Sequence, residues 1–401
     1  MPITPFSKQQ LLPQEEKLEI ARHKSELFIG IPKETSYQER RICLTPDAVN
    51  SLVSHGHRVM LEAGAGESAS YTDKEYSDAG AEITQDPKKV FSCPMILKVE
   101  PPTSAEIEMI NPNTIIISAI QLKTRKKEYF EKLAKKKITA FAFEFIKDDD
   151  GSYPAVKSLS EIAGTASILI AAELMINNQF GKGLLFGNIT GVAPTDVVII
   201  GAGTVGEFAA KTALGLGANV KVFDNSITKL RRLQNNLGSR VFTSVMQPIV
   251  LNKAITTCDV VIGAIRAHHG RSPCVVSEET VAKMKPNSVV VDVSIDQGGC
   301  FETSEVTNHK NPVFRKHDVI HYCVPNIASR VSRTATYALT NIFTPILIDI
   351  GEMGGIMNVI WEKAGIRNAV YLYQGAMTNK DLANRFEIPL KDLNLLVVSN
   401  H

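Results

Sequence analysis

The sequence predicts an α/β protein made of two doubly wound domains with parallel sheets. Two series of short β-rich runs alternating with helical stretches predict it, together with a glycine cluster that joins a strand to a helix in the second series. At 401 residues the chain is long enough for two or three domains, and its 44% hydrophobic and 21% charged residues match ordinary globular usage.

The first series begins at Leu27 with LFIGI and continues through HRVMLEAG, PMILKVE, NTIIISAI and ITAFAFEFI. Between these runs, Pro46 to His55 and Arg125 to Lys136 have the helical periodicity that crossover connections between parallel strands require. Lys126, Lys127, Lys135, Lys136 and Lys137 read as a solvated helix face, not as an anion site. A long helical run, SLSEIAGTASILIAAELMINNQF, then links the two series, with Ser160 and Glu161 near its start and Gly181 past its end. The second series is DVVIIG, NVKVFD, DVVIGAI, NSVVVDVS and DVIHYCV. After Pro325, RTATYALTNIFTPILIDI reads as another long helix, and the tail past Gly351 contains no further strand series. That tail is expected to return to the first domain.

Several functions are excluded by composition. A formal net charge of +2 gives no broad positive field to draw nucleic acid or anionic lipid. The six cysteines, Cys43, Cys93, Cys258, Cys274, Cys300 and Cys323, form no C-x-x-C pair or metal spacing and read as reduced, mostly buried thiols. Lys8, Glu15, Glu16, Lys17 and Glu19 interrupt the apolar core an export signal needs, so a cytoplasmic protein is expected. The best apolar stretch, Ser167 to Ile176, contains Glu173 and is shorter than the roughly 20 residues of a bilayer span.

The glycine cluster is Gly201-Ala202-Gly203-Thr204-Val205-Gly206, directly after the strand Val197 to Ile200 and before the helical EFAAKTALGLGA. In that context Gly201 permits a tight turn, Gly203 lets the backbone approach a pyrophosphate, and Gly206 lets helix and strand pack closely. Asp224 ends the next strand, roughly 20 residues on, where an acid hydrogen-bonds the adenosine ribose 2′-OH. The same carboxylate repels the 2′-phosphate of NADP, and no arginine follows it directly, although Lys229, Arg231 and Arg232 come soon after. A dinucleotide, NAD before NADP, is therefore the expected cofactor. The expected division is an N-terminal arm over 1–26, a discontinuous substrate domain over 27–157 and 330–401, and an NAD-binding domain over 158–329.

The segment GIPKETSYQERRICLTPDAVNSLVSHGHRVMLEAGAGESASYTD, followed by LKVEPP, SLSEIAG, VIIGAGTVG, VDVSIDQGGCFETS and YALTN, resembles the alanine dehydrogenase family. The resemblance runs from about Leu27 to Pro389. IDQGGCFE and YALTN are more similar to alanine dehydrogenases than to the related nucleotide-binding subunit of proton-translocating transhydrogenase. It implies two Rossmann-like domains with the active site in the cleft between them, a homohexamer, and hydride transfer in which L-alanine, NAD and water give pyruvate, ammonia and NADH.

Such a reaction needs a cation for the substrate carboxylate, a proton-handling group, and placement of Cα against the nicotinamide. By resemblance, Arg41, beside Arg40, binds the substrate carboxylate, which its guanidinium fork suits, and Lys98 is the second substrate-binding cation. Asp296 follows SVVVDVSI, at the carboxyl end of a strand where ligands of such sheets bind, and is the expected catalytic acid. Resemblance adds Ser160, Thr204, Val205, Lys229, Ile265, Val293 and Asn326 as NAD contacts. Met246 stands at the family's serine position on the adenosine side, and Asp349 and Met353 replace a metal-ligand pair, so no metal is expected.

One position departs from the family. Where the family has its catalytic histidine, in the turn after the fourth strand, IISAIQLKTR puts Gln121. Glutamine donates a hydrogen bond to a carbonyl but exchanges no proton near neutral pH. His268 and His269, after DVVIGAI, read as surface residues. Two expectations follow. In one, Asp296 and bound water carry the protons while Gln121 orients the carbonyl. In the other, the chain is an NAD-binding protein of the same fold with altered or lost activity: another amino acid, a saccharopine-type or transhydrogenase-like reaction, or cofactor sensing.

Overall fold

The computed structural model describes residues 24–121, 125–177, 179–267 and 270–398. Most of the expected N-terminal arm, His268 and His269 lie outside the described residues.

The apolar runs of the first series become β1 (Phe28–Ile31), β2 (Arg58–Glu62), β4 (Met95–Leu97), β5 (Ile115–Ser118) and β6 (Thr139–Ala142), with a short β3 (Glu82–Thr84) after β2. The second series becomes β7 (Asp196–Ile200), β8 (Asn219–Phe223), β10 (Val260–Gly263), β11 (Val289–Asp292) and β13 (Val319–Tyr322). Short edge strands β9 (Phe242–Ser244) and β12 (Val313–Lys316) flank them, and a C-terminal pair, β14 (Val370–Tyr373) and β15 (Ala376–Met377), completes the set. Helices cover both faces of a parallel sheet, which is why β4, β6, β10, β11 and β13 are buried at every position and read as continuous apolar runs without alternation.

The strands form two sheets, of eight in the order β15-β14-β6-β5-β4-β1-β2-β3 and of seven in the order β12-β13-β11-β10-β7-β8-β9. In each, the first strand lies centrally between its successor on one side and the fourth strand on the other. Ile29 of β1 pairs with Val59 and Met95, and Val260 of β10 pairs with Val197 and Val289, all in parallel register. Strand order therefore reverses between β1 and β4 and between β7 and β10. The loops leaving the carboxyl ends of those strands splay apart there and leave a crevice.

Two features differ from the sequence expectation. The tail past Gly351 is not wholly helical. In Val370-Tyr371-Leu372-Tyr373 the valine and both tyrosines favour strands, and Gln374 and Gly375 both take positive φ, 47° and 83°, the two-residue hairpin turn that returns β15 antiparallel to β14. β14 pairs antiparallel with β6, so the C-terminal segment extends the first sheet. The linker helix spans Pro154–Ile176 and begins four residues before Ser158, because Pro154 suits the first helical turn. Ser160 thus lies in its second turn, not at its start.

By length and composition this 23-residue helix is apolar enough to cross a bilayer, but half of its most apolar stretch is buried within the protein. Its Ala163, Ala166 and Ala171 join one core cluster with Ala209, Ala210 and Ala213 of the helix Thr204–Gly215. Small residues on both helices permit a close crossing. At Gly164 the approach is tightest: an added Cβ would lie 2.3 Å from the Val205 carbonyl oxygen and 3.0 Å from the Ala209 nitrogen. Backbone atoms cannot move aside as a flexible side chain does. Gly164→Ala is therefore expected to cost roughly 1–3 kcal/mol, read as a lowered thermal midpoint. An unchanged midpoint would refute this close contact.

Candidate active site

The crevice of the first sheet gathers charge. The loop after β1 carries Glu34, Glu39 and Arg41, and the loop after β4 carries Lys98 and Glu100. Glu34 joins them, accepting from the backbone N–H of Val99 at 2.6 Å. Arg41 lies against Glu39 as a fork, with Nε to Oε1 at 2.7 Å and Nη2 to Oε2 at 2.5 Å, and its Nη2 is 3.8 Å from Glu100 Oε1. Arg40, next to it, is exposed. The backbone of this loop is tied to the segment that leaves the second sheet. Arg40 N–H donates to Ser329, Ile42 N–H to Thr336 and Thr45 N–H to Thr340, at 3.0, 3.1 and 3.0 Å.

Lys98, the second cation expected to bind substrate, is buried. Its ammonium is 1% exposed, held by Glu106 at 2.8 Å and Glu34 at 3.5 Å, and it is not among the residues of the cleft wall. A buried ammonium takes the nearest carboxylates, and Glu106 is itself fixed by a capping box with Thr103 at the start of the helix Ser104–Met109. Burial works against the charged ammonium, but Glu34 and Glu106 outweigh it and raise the Lys98 pKa.

Two cations thus face the carboxyls of Glu34, Glu39, Glu100 and Glu106, and protons balance the excess. Burial raises Glu34 to about 7 despite the attraction of Lys98. Glu100 is pushed up to about 8 by burial and by the neighbouring Glu39 charge, against the pull of Arg41. Glu39 is also buried, yet the Arg41 charge and hydrogen bonds hold it below the usual carboxylate range.

Gln121 follows β5 with φ of 47°, in the left-handed region. Its backbone N–H donates to Glu144 at 3.4 Å, as does that of Ile120 at 3.0 Å, and its Nε2 donates to Glu100 Oε2. Burial raises the pKa of Glu144 against these backbone hydrogen bonds.

The second sheet supplies the opposite wall. Gly201 has φ of 116°; an added Cβ at Gly206 would meet the Gly201 carbonyl oxygen at 1.9 Å, whereas at Gly203 it would meet nothing within 4 Å. The glycines close the strand–helix junction and leave an open backbone surface at the start of the helix Thr204–Gly215, which fits a dinucleotide phosphate. Asp224 accepts from Ala202 N–H and Ser226 N–H, both at 2.7 Å. Arg232 reaches the Ala202 carbonyl at 3.2 Å but is paired with Glu207 at 3.6 Å. Lys229 is half-buried in the first turn of the next helix, Ile227–Leu237. At the end of β11, Asp292 is buried and closes the following loop through Ser294, Cys300 and Ser304, while Asp296 is exposed and accepts from Asn326 N–H at 2.8 Å.

Both crevices open on one cleft of about 940 Å³. Its wall brings together Arg41, Gln121, Ser160, Val205, Ile265, Val293, Asp296 and Asn326. Asn326 also bridges the two sides, donating from Nδ2 to Glu39 at 2.9 Å. Gly201, Gly203, Thr204, Gly206, Asp224 and Lys229 lie beyond this cavity, at the ends of β7 and β8. Among the residues sequence reasoning missed, Glu144, Arg266, Arg271 and Arg385 line the cleft, and Glu34, Glu39 and Glu100 lie behind or beside it. Spacing alone did not mark these charged residues out from surface ones. Asp349, at the replaced metal-ligand position, is ion-paired with Lys363.

The chain matches the family models described as "Alanine dehydrogenase/PNT, N-terminal domain" over residues 30–163 and "Alanine dehydrogenase/PNT, C-terminal domain" over 167–380. It is 39% identical to the alanine dehydrogenase of Methanococcus maripaludis, covering 90% of this chain and 97% of that one. The alanine dehydrogenase of Mycolicibacterium smegmatis is 36% identical, over 91% of this chain and 98% of its own. A solved L-alanine dehydrogenase superposes with a TM-score of 0.83 at 34% identity, covering 90% of this chain and 99% of that one. The transhydrogenase of Sinorhizobium meliloti, with a TM-score of 0.75 and 24% identity over 88% of this chain and 99% of its own, has the same fold.

The raised carboxyls give a signed pH dependence. At low pH Glu34 and Glu100 are protonated in both the folded and unfolded states. As pH rises from about 4.5 through about 7 and about 8, the unfolded chain releases these protons first, so stability falls across that window. Thermal midpoints should decline from pH 6 to pH 9 by about a few degrees, and Glu100→Gln should flatten part of the slope. A midpoint that rises over this range would contradict the assignment.

Proposed function

The chain belongs to the alanine dehydrogenase/pyridine nucleotide transhydrogenase family, and from that premise we propose that it is an NAD-dependent alanine dehydrogenase, converting L-alanine, NAD and water to pyruvate, ammonia and NADH. The observation that carries this reading is the single cleft lined at once by Arg41 and Gln121 from one sheet and by Val205, Val293 and Asp296 from the other. It rests on a substrate domain over 27–157 and 330–401 and a nucleotide domain over 158–329, and on a cytoplasmic homohexamer as the assembly.

Gly201, Gly203, Thr204, Val205 and Gly206 hold the dinucleotide phosphates, Asp224 and Lys229 the adenosine ribose side, and Ser160, Ile265, Val293 and Asn326 the nicotinamide side. Bound NAD supplies the hydride acceptor. Asp224, fixed by two backbone N–H groups, favours NAD over NADP because it opposes a 2′-phosphate, and Glu207 neutralises the nearby Arg232. Arg41 commits Nε and Nη2 to Glu39 and offers Nη1 to the substrate carboxylate. Lys98, behind the wall, offsets the carboxylates that would otherwise repel that substrate. Asp296, exposed in the cleft, receives the proton from the amino group or from a bound water. Gln121 hydrogen-bonds the reacting nitrogen or carbonyl.

NADH formation with a panel of L-amino acids, run beside NADP, tests the reading: L-alanine with NAD is expected to be strongly preferred. Asp296→Asn should lower kcat by about 10²- to 10⁴-fold, and Arg41→Lys should act mainly through a raised KM for alanine. Normal turnover by Asp296→Asn would remove Asp296 from the proton path.

A further inference from the structure

Arg41 and Arg266 leave the two switch points on opposite walls of the cleft, the first in the loop after β1 and the second in the loop after β10. We propose that a small dicarboxylate binds between them, with one carboxylate on Arg41 and the other on Arg266, and competes there with L-alanine and pyruvate; this deepens and rests on the reading of Arg41 as the carboxylate-binding cation of a dehydrogenase.

The charge of the wall favours such a ligand. Among the described residues that line the cleft, the arginines are Arg41, Arg266, Arg271 and Arg385, and the acids are Glu144 and Asp296. Arg41 already has a counter-charge in Glu39. Glu144 commits its carboxyl to the backbone N–H groups of Ile120 and Gln121. Arg266 opposes the burial that raises the Glu144 pKa, yet the two are not ion-paired. Among the described residues, none of Arg266, Arg271 and Arg385 has a carboxylate within salt-bridge distance. Arg266 therefore faces the cleft with its charge uncompensated at close range.

Its place in the wall is fixed from both sides. Ile265 N–H donates to Ser294 Oγ at 2.9 Å and Ala267 N–H to Gln297 Oε1 at 2.7 Å, so the backbone flanking Arg266 is anchored on the segment that follows β11. The Arg266 side chain is exposed. Arg271 rests on the same segment: its Nη2 donates to the Gly298 carbonyl at 3.1 Å, and an added Cβ at Gly298 would lie 2.8 Å from its Cγ. Cations on facing walls repel one another, and a ligand charge on each relieves both. A guanidinium keeps its charge at any working pH and binds a carboxylate through parallel N–H donors. Alanine, with a methyl side chain, satisfies Arg41 alone. A ligand with a second carboxylate at its far end gains the contact with Arg266 as well, and Arg271 and Arg385 add positive potential to the same cavity. No covalent bond changes in this binding.

Binding is read directly by calorimetry on the protein with NADH bound, at fixed pH and ionic strength. Succinate and glutarate should bind about tenfold more tightly than butyrate and pentanoate, the monocarboxylates of equal chain length, and should raise the apparent KM for L-alanine without changing kcat. Arg266→Leu should remove that advantage, while Arg266→Lys should retain part of it. Should Arg266→Leu not fold, Arg266→Gln serves in its place. Equal binding of the two ligand classes by the wild type overturns the proposal, as does an advantage that survives the loss of the Arg266 charge or disappears only in Arg271→Leu. So does an Arg266→Leu effect confined to NADH affinity, which would make Arg266 a cofactor contact. A dicarboxylate preference that depends on Arg266 in a protein that does not oxidise L-alanine would defeat the dehydrogenase reading while supporting the dicarboxylate site.

Discussion

Parallel pairing is the constraint on which the rest of this molecule depends. Each parallel strand must be followed by a crossover that carries the chain back, so all carboxyl ends of a sheet lie along one edge. Where strand order reverses, between β1 and β4 and between β7 and β10, no crossover covers that edge. The loops carrying Arg41 and Glu100 leave from one such point, and the glycine turn and Ile265 leave from the other. Both lie on a common cleft because the helices Pro154–Ile176 and Ser332–Glu352 cross between the sheets and pack together.

The first crevice is costly to build. Burying two cations with four carboxyls removes strong hydration, which close pairing and hydrogen bonds recover only in part. The structure meets the cost with the Arg41–Glu39 fork, the Lys98–Glu106 contact, and protons retained on Glu34 and Glu100. Such an arrangement holds a fixed positive group at the cleft wall while leaving its net charge sensitive to pH. The price in stability resembles the strain that active sites generally store.

Position also depends on the connection between the sheets. Ser329, Thr336 and Thr340 hold the backbone on either side of Arg41, and Asn326 links Glu39 to Asp296. Arg41 and Asp296 are thereby tied to one connecting segment.

Much of this was determined by sequence alone. Buried strands such as VVVD and DVVII declare themselves because both faces are apolar, and the glycine pattern declares itself because only glycine tolerates the Gly201 turn and the Gly206 contact. Short edge strands β3, β9 and β12, partly polar and half-exposed, carry no such signal, and the β14–β15 hairpin was hidden in a helical tail. Arg41, Gln121 and Asp296 were marked by resemblance, and all three line the cleft. Only the tertiary structure decided that Lys98 faces inward onto Glu106, that Glu100 contacts Gln121, and that Glu144 pins its backbone. The physical reason is that apolar burial is written into local periodicity, whereas the partner of a buried charge comes from a loop distant in sequence and is chosen by packing.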